Sequence, residues 1–72
     1  MDVELALLDR RYEALRSRSA VRERRVLASL AEIGQQVPII VVRDDTRIVL
    51  VDGYKRVRAL ARLGQDTALA TE

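Results

Sequence analysis

The chain has 72 residues and a net charge of +2, from 13 Lys and Arg against 11 Asp and Glu. With no cysteine and no histidine, it lacks the residues for disulfide frameworks, thiolate zinc sites, thiol catalysis, Ser-His-Asp triads and HExxH zinc sites. No run approaches the roughly 18 apolar residues that span a membrane, and the acids Asp2 and Glu4 are unlike a signal peptide. A cytoplasmic protein with no membrane partner is therefore expected.

A chain this short makes one small domain or a piece of a larger one. Its aromatics are Tyr12 and Tyr54 alone, so packing must rest on Leu, Val, Ile and Ala. From residue 3 to 16, Leu5, Leu8, Tyr12 and Leu15 fall at a 3-4-3 spacing with charges between them. That spacing predicts an amphipathic helix, too short to argue a coiled coil. Residues 1–18 are set apart as this N-terminal helix, and 19–72 as the domain proper. The apolar stripe exceeds what a small sheet would cover, so the helix is expected to pack against another copy, giving a homodimer.

Ser17-Arg18-Ser19 reads as a joint, with Ser19 as the cap of a second helix. That helix is predicted from Ala20 to Ile33, burying Val26, Leu27, Leu30 and Ile33. Gly34 suits its end, since glycine takes the left-handed conformation that closes a helix. Gln35-Gln36-Val37-Pro38 is a connector, and Pro38 belongs at the start of a strand because it cannot donate to a ladder. Ile39–Val42 is a continuous apolar strand, expected to be buried on both faces. Arg43-Asp44-Asp45-Thr46 is a hairpin loop, and Ile48–Val51 is the returning strand. Tyr54–Leu63 is a third helix ended by Gly64, and Thr67–Thr71 a last short strand. The fold class is α+β, in the order α-α-β-β-α-β, with helices on one side of a short sheet. Ile39, Val41, Ile48, Leu50, Val57 and Leu60 should be buried together with Leu27 and Leu30.

The stretch from Leu50 to Gly64, LVDGYKRVRALARLG, carries the chemistry. Strand, Asp-Gly, helix leaves backbone N–H groups unpaired at a helix start, where the dipole favours an anion. Gly53 admits a ligand close to the backbone, and Asp52 is placed to cap the helix. Lys55 and Arg56 stand in the first turn. At 100° per residue, Lys55, Arg58 and Arg62 share the outer face, Val57, Leu60 and Ala61 the inner one, and Arg56 the flank. A plain cap with solvated basic residues accounts for the same pattern. No acids form a recognisable metal constellation, Asp44, Asp45, Asp52 and Glu32 included, so no metal site is assigned.

Pro38-Ile39-Ile40-Val41-Val42-Arg43 and Gly53-Tyr54-Lys55-Arg56-Val57-Arg58-Ala59 carry a resemblance. From Arg25 to about Ala70 the chain resembles the N-terminal domain of ParB-type partition proteins, in the ParB/sulfiredoxin-like superfamily. The resemblance implies that fold and a nucleotide site. In partition proteins the nucleotide is CTP, with magnesium, its triphosphate on the glycine-helix motif. By position, Gly53 and Arg56 would contact phosphate, with Asp52, Tyr54 and Lys55 beside them. Gly34 and Pro38 match the first nucleotide-binding stretch. Relatives use a related pocket for ATP in sulfiredoxin and in a free-serine kinase, but a chain without cysteine is not expected to do sulfiredoxin chemistry. Tyr54 replaces the usual glutamate linked to nucleotide hydrolysis, and Val37 stands where Gln usually precedes the proline. The later Asn/Arg-containing motif and the helix-turn-helix that reads DNA are not among these residues.

The leading expectation is a CTP-like nucleotide-binding regulatory domain of a DNA-associated partition protein, with DNA bound through a further domain. The alternative is a direct nucleic-acid-binding module using Arg22, Arg25, Arg58 and Arg62. An enzyme, whether kinase, nuclease or slow nucleotide hydrolase, is the least supported reading, and no catalytic residue is assigned.

Overall fold

A computed structural model describes residues 1–15 and 18–72. The elements run β1 (Asp2–Glu4), β2 (Leu8–Asp9), α1 (Ala20–Ile33), β3 (Ile39–Asp44), β4 (Arg47–Asp52), α2 (Tyr54–Arg62) and β5 (Thr67–Thr71), with 3-10 turns at Leu5–Leu7 and Glu13–Leu15. The strands form one mixed sheet in the order β1-β5-β3-β4-β2. β3 and β4 are an antiparallel hairpin, β5 runs parallel to β3, and β1 is antiparallel to β5. The domain is α+β, with α1 and α2 packed on the sheet, as the sequence predicts.

The helix expected over residues 3–16 is not formed. Residues 2–4 pair with 67–69, and Leu8-Asp9 pair with Ile48-Val49 at the opposite edge of the sheet. Leu5 N–H donates to the Asp66 carbonyl at 2.8 Å, holding the turn between the two strands. Backbone pairing with distant strands outweighs a spacing that fits a helix equally well. Residues 1–9 thus complete the sheet of the domain expected at 19–72, and no boundary falls before α1. The dimer seam goes with the helix, because Leu5 and Leu8 are buried in the chain's own core. Tyr12 and Leu15 stay exposed. Arg16 and Ser17, the ends of the expected helix and joint, lie outside the described residues.

This wiring curls the sheet. β1 and β2 are four strand spacings apart, about 19 Å if flat. The link from Glu4 to Leu8 reaches only about 14 Å when fully extended. The two edges must therefore approach one another, and Val3, Leu5 and Leu8 close on the concave side.

α1 begins at Ser19, whose Oγ accepts the Arg22 N–H at 3.3 Å. It ends at Gly34 (φ 75°, ψ −174°), whose N–H donates to the Leu30 carbonyl at 3.0 Å. The positive φ suits glycine as expected, but ψ lies outside the left-handed helical region. Leu30, Ile39, Val41, Leu50, Val57 and Leu60 form one buried cluster, with Val26, Leu27 and Ile48 packed at its margin. Ile33 is exposed. In α2 Ala59, not Ala61, joins the buried face.

β3 is buried on one face only. Ile39 and Val41 are fully covered, whereas Ile40 and Val42 are exposed, because both helices lie on the same side of the sheet. The hairpin turn is tighter than expected: Asp45 and Thr46 alone connect the strands, and Asp45 takes a positive φ of 60°. Arg11 ties β2 to this hairpin through Asp9 at 2.8 Å and Asp44 at 2.9 Å.

Between β4 and α2 the chain turns at Gly53, with φ 104°. A Cβ there would lie 2.7 Å from Ile39 Cγ2 and 3.2 Å from Ile39 Cα. Glycine is demanded twice, by the dihedral and by the contact. Gly53→Ala should lower the unfolding free energy by about 2–5 kcal/mol, combining backbone strain with overpacking. Urea unfolding followed by circular dichroism checks this; a shift under about 1 kcal/mol, the scale of a small local adjustment, would mean that the turn yields.

Candidate functional site

Gly53 is the N-cap of α2, so the cap has no side chain. Asp52, expected to cap the helix, is instead the last residue of β4. The first bond of the helix runs from Val57 N–H to the Gly53 carbonyl at 3.0 Å. The N–H groups of Lys55 and Arg56 come before it and have no carbonyl within the helix to meet. They point with the positive end of the helix dipole.

A cleft of about 640 Å³ opens over this helix start, within the range of small-ligand sites. Asp52, Gly53, Tyr54, Lys55 and Arg56 come from the β4–α2 turn, and Arg22, Arg25 and Val26 from α1. Leu15 stands at the side. A smaller hollow of about 200 Å³ continues it toward Gly34, Gln36 and Ser29, and the two share Arg25, Val26 and Arg56. Gly34 and Gly53 thus border adjoining hollows, with Arg56 reaching both. Pro38 lines neither of them.

Four cations around the cleft are not neutralised by acids. Among the described residues, none of Arg22, Arg25, Lys55 and Arg56 forms a salt bridge with a carboxylate. Arg58 differs. Its Nε bonds Glu23 at 2.7 Å and its NH1 bonds Glu13 at 2.9 Å, with only 16% of the side chain exposed. It is not a solvated outer residue but a clamp joining α2, α1 and the turn at Glu13. Burial opposes the charge of Arg58, yet its bonds to Glu23 and Glu13 hold its pKa above the ordinary value. The Arg58 guanidinium in turn holds the Glu23 carboxyl below its own.

Tyr54 faces the core as well as the cleft. It is 4% exposed, and its hydroxyl donates to the Leu50 carbonyl at 2.7 Å. The position that would carry an acid therefore carries a structural tie from α2 to β4. Of the alternative set, Arg22, Arg25 and Arg58 line the cleft, while Arg62 lies along the α1–α2 seam outside it.

Sequence reasoning passed over Gln35. Its Oε1 accepts the Leu69 N–H at 2.7 Å and its Nε2 donates to the Leu69 carbonyl at 2.8 Å. Nε2 also reaches the Val37 carbonyl at 3.0 Å. The amide fastens the connector to β5 just before β3 takes over the pairing at Ala70. A polar residue beside a proline that cannot donate was the available signal.

The architecture matches known proteins. Sulfiredoxin from Arabidopsis thaliana superposes with a TM-score of 0.86 at 30% identity, over 99% of this chain and 82% of that one. The C-terminally truncated chromosome-partitioning protein ParB from Caulobacter crescentus, complexed with CTP-gamma-S, gives 0.77 at 26% identity, over 100% of this chain and 43% of that one. The same ParB complexed to the centromeric parS site gives 0.81 at 23% identity, over 99% and 38%. The chain belongs to the ParB/sulfiredoxin-like superfamily, and it spans less than half the length of the ParB chains. No family profile matches it, and no curated protein does. No helix of the described residues is long and apolar enough to cross a membrane.

The Arg58 clamp has a pH signature. Because the folded pKa of Glu23 is depressed, its contribution to stability is present above the ordinary value of 4.5 and is lost as pH falls through the lower folded value. Asp9, lowered by its hydrogen bond from Arg11, acts with the same sign. Glu23→Gln should therefore make the fall of the urea midpoint below pH 4.5 shallower without abolishing it. An unchanged acid limb would show that the clamp does not bear on folding.

Proposed function

We propose that the cleft binds the phosphates of a nucleoside triphosphate, CTP foremost, and that the chain is the nucleotide-binding regulatory domain of a ParB-like, DNA-associated protein. The observation that carries this is the convergence of four cations, none held by a carboxylate of the described residues, on a helix start whose cap has no side chain. An anion placed there meets fixed backbone donors and charge-assisted bonds together. The donors are already positioned, so little ordering opposes binding. The cytidine preference is supported by the ParB that carries CTP-gamma-S, 26% identical to this chain.

In this reading the triphosphate lies over the Lys55 and Arg56 amides, held by the Arg56 side chain, with Arg22, Arg25 and Lys55 supplying longer-range attraction. Gly34 and Gln36 border the hollow left for the nucleoside. Magnesium would accompany the triphosphate on the phosphate oxygens, and Asp52 is the one carboxylate among the described lining residues. Tyr54 offers no base, since its hydroxyl is buried and donated to Leu50, so binding without appreciable hydrolysis is expected. DNA recognition and partition belong, in this reading, to further parts of the protein.

Isothermal titration with CTP, ATP and GTP, with and without magnesium, tests it. CTP should bind, and Arg56→Ala should weaken binding by about 1.5–3 kcal/mol, the scale of a hydrogen bond to a charged group. Arg62→Ala, outside the cleft, should cost under about 0.5 kcal/mol. Equal losses from the two would indicate a diffuse basic surface. No binding of any of the three nucleotides would defeat the proposal.

A further inference from the structure

The cleft is not the end of the basic surface. A second concavity, of about 450 Å³, runs along the seam between α1 and α2, lined by Arg18, Arg24, Lys55, Arg58 and Arg62. It meets the cleft at Lys55 and Arg58, which line both. Its acid, Glu23, is already engaged by Arg58 at 2.7 Å and Arg18 at 3.4 Å. Among the described residues, Arg24, Lys55 and Arg62 have no carboxylate partner. Positive charge therefore extends from the cleft along the whole seam.

We infer that this seam binds the phosphate backbone of a double-stranded nucleic acid without reading its bases. A mononucleotide concentrates its charge at one point and cannot use both concavities. Lys55 and Arg62 are about 10 Å apart along α2, whereas a duplex carries a phosphate about every 3.4 Å of axis on each strand. A repeating polyanion matches cations spread over that length. Arg is suited to it, because its fork meets phosphate oxygens in pairs. Single strands are usually gripped by stacking bases on aromatic side chains. Here Tyr54 is buried and Tyr12 lies outside the seam, so the seam has no aromatic platform and only outward-facing phosphates can be met. The seam is concave, with Leu27 only half-buried at its floor, which suits a rod better than the flat face of a bilayer.

The inference stands apart from the nucleotide reading, because Arg24 and Arg62 line the seam and not the cleft. Fluorescence anisotropy of a labelled duplex of arbitrary sequence, titrated with the 72-residue chain between about 50 and 200 mM salt, tests it. Binding should weaken with salt and be indifferent to sequence. Replacing Arg24→Gln and Arg62→Gln together should lower the slope of log K against log salt by about 1.4–1.8. The same double variant should weaken binding about tenfold, two exposed charge contacts' worth. Its CTP titration and circular dichroism spectrum should stay as in the parent, whereas Arg56→Ala should affect the CTP titration most. The inference is overturned if no duplex binds at about 50 mM salt, if the double variant keeps the parent's slope, or if anionic phosphatidylserine vesicles bind more tightly than the duplex.

Discussion

The contact between Gly53 and Ile39 governs the rest of the molecule. Ile39 opens β3 at the centre of the sheet and is fully buried. Gly53 presses its backbone on that side chain in a conformation with φ 104°. Because nothing but hydrogen fits, β4 can turn directly into α2 with the helix start held against the central strand. From that point α2 lays Val57 and Leu60 onto the core, and Tyr54 is drawn in until its hydroxyl meets Leu50. A glycine that reads in the sequence as room for a ligand is, in the structure, room for the neighbouring strand. The ligand site is a consequence of it, since a cap without a side chain leaves the first N–H groups of the helix turned outward.

Charge is arranged around that start in two different ways. Arg58 is spent on structure, bridging Glu13 and Glu23 from two other segments. Arg22, Arg25, Lys55 and Arg56 have no such partner among the described residues. Four like charges around one cleft repel one another, and the small domain has little stability to offset that. An anion relieves the repulsion and gains backbone donors at the same time. The modest net charge of +2 hides this local concentration, because the acids are collected elsewhere, on the clamp, the hairpin and β1.

Most of the later chain was legible because its signals are local. α1 runs from Ala20 to Ile33 as its cap, period and closing glycine indicate, and the hairpin, α2 and β5 accord with turn residues and apolar runs. Residues 1–15 were not legible. Strands of three and two residues are too short to show a period, and their partners lie some 40 to 60 positions away in sequence. Leu5 and Leu8 are three apart, which suits a helix face and equally suits two strands joined by a 3-10 turn. The exposure of Ile40 and Val42 was missed for a related reason. An apolar run does not say whether one or both faces of a strand will be covered. At the site, the glycine, the first-turn cations and the phosphate character could be read from spacing. The pairing of Arg58 with two glutamates, the burial of Tyr54 and the grip of Gln35 on Leu69 depend on tertiary neighbours and could not.

The central claim is that the α2 start, fixed by Gly53 on Ile39, is where an anion is held. Amide chemical-shift mapping by ¹H–¹⁵N NMR during a CTP titration tests it most directly, since it reports on each backbone N–H separately. The account predicts the largest and saturable shifts at Gly53, Lys55 and Arg56, with smaller ones at Arg25 and Gly34 and little change in β1, β2 or Arg62. Shifts spread evenly along α1 and α2, or strongest on the exposed sheet face at Ile40 and Val42, would contradict it.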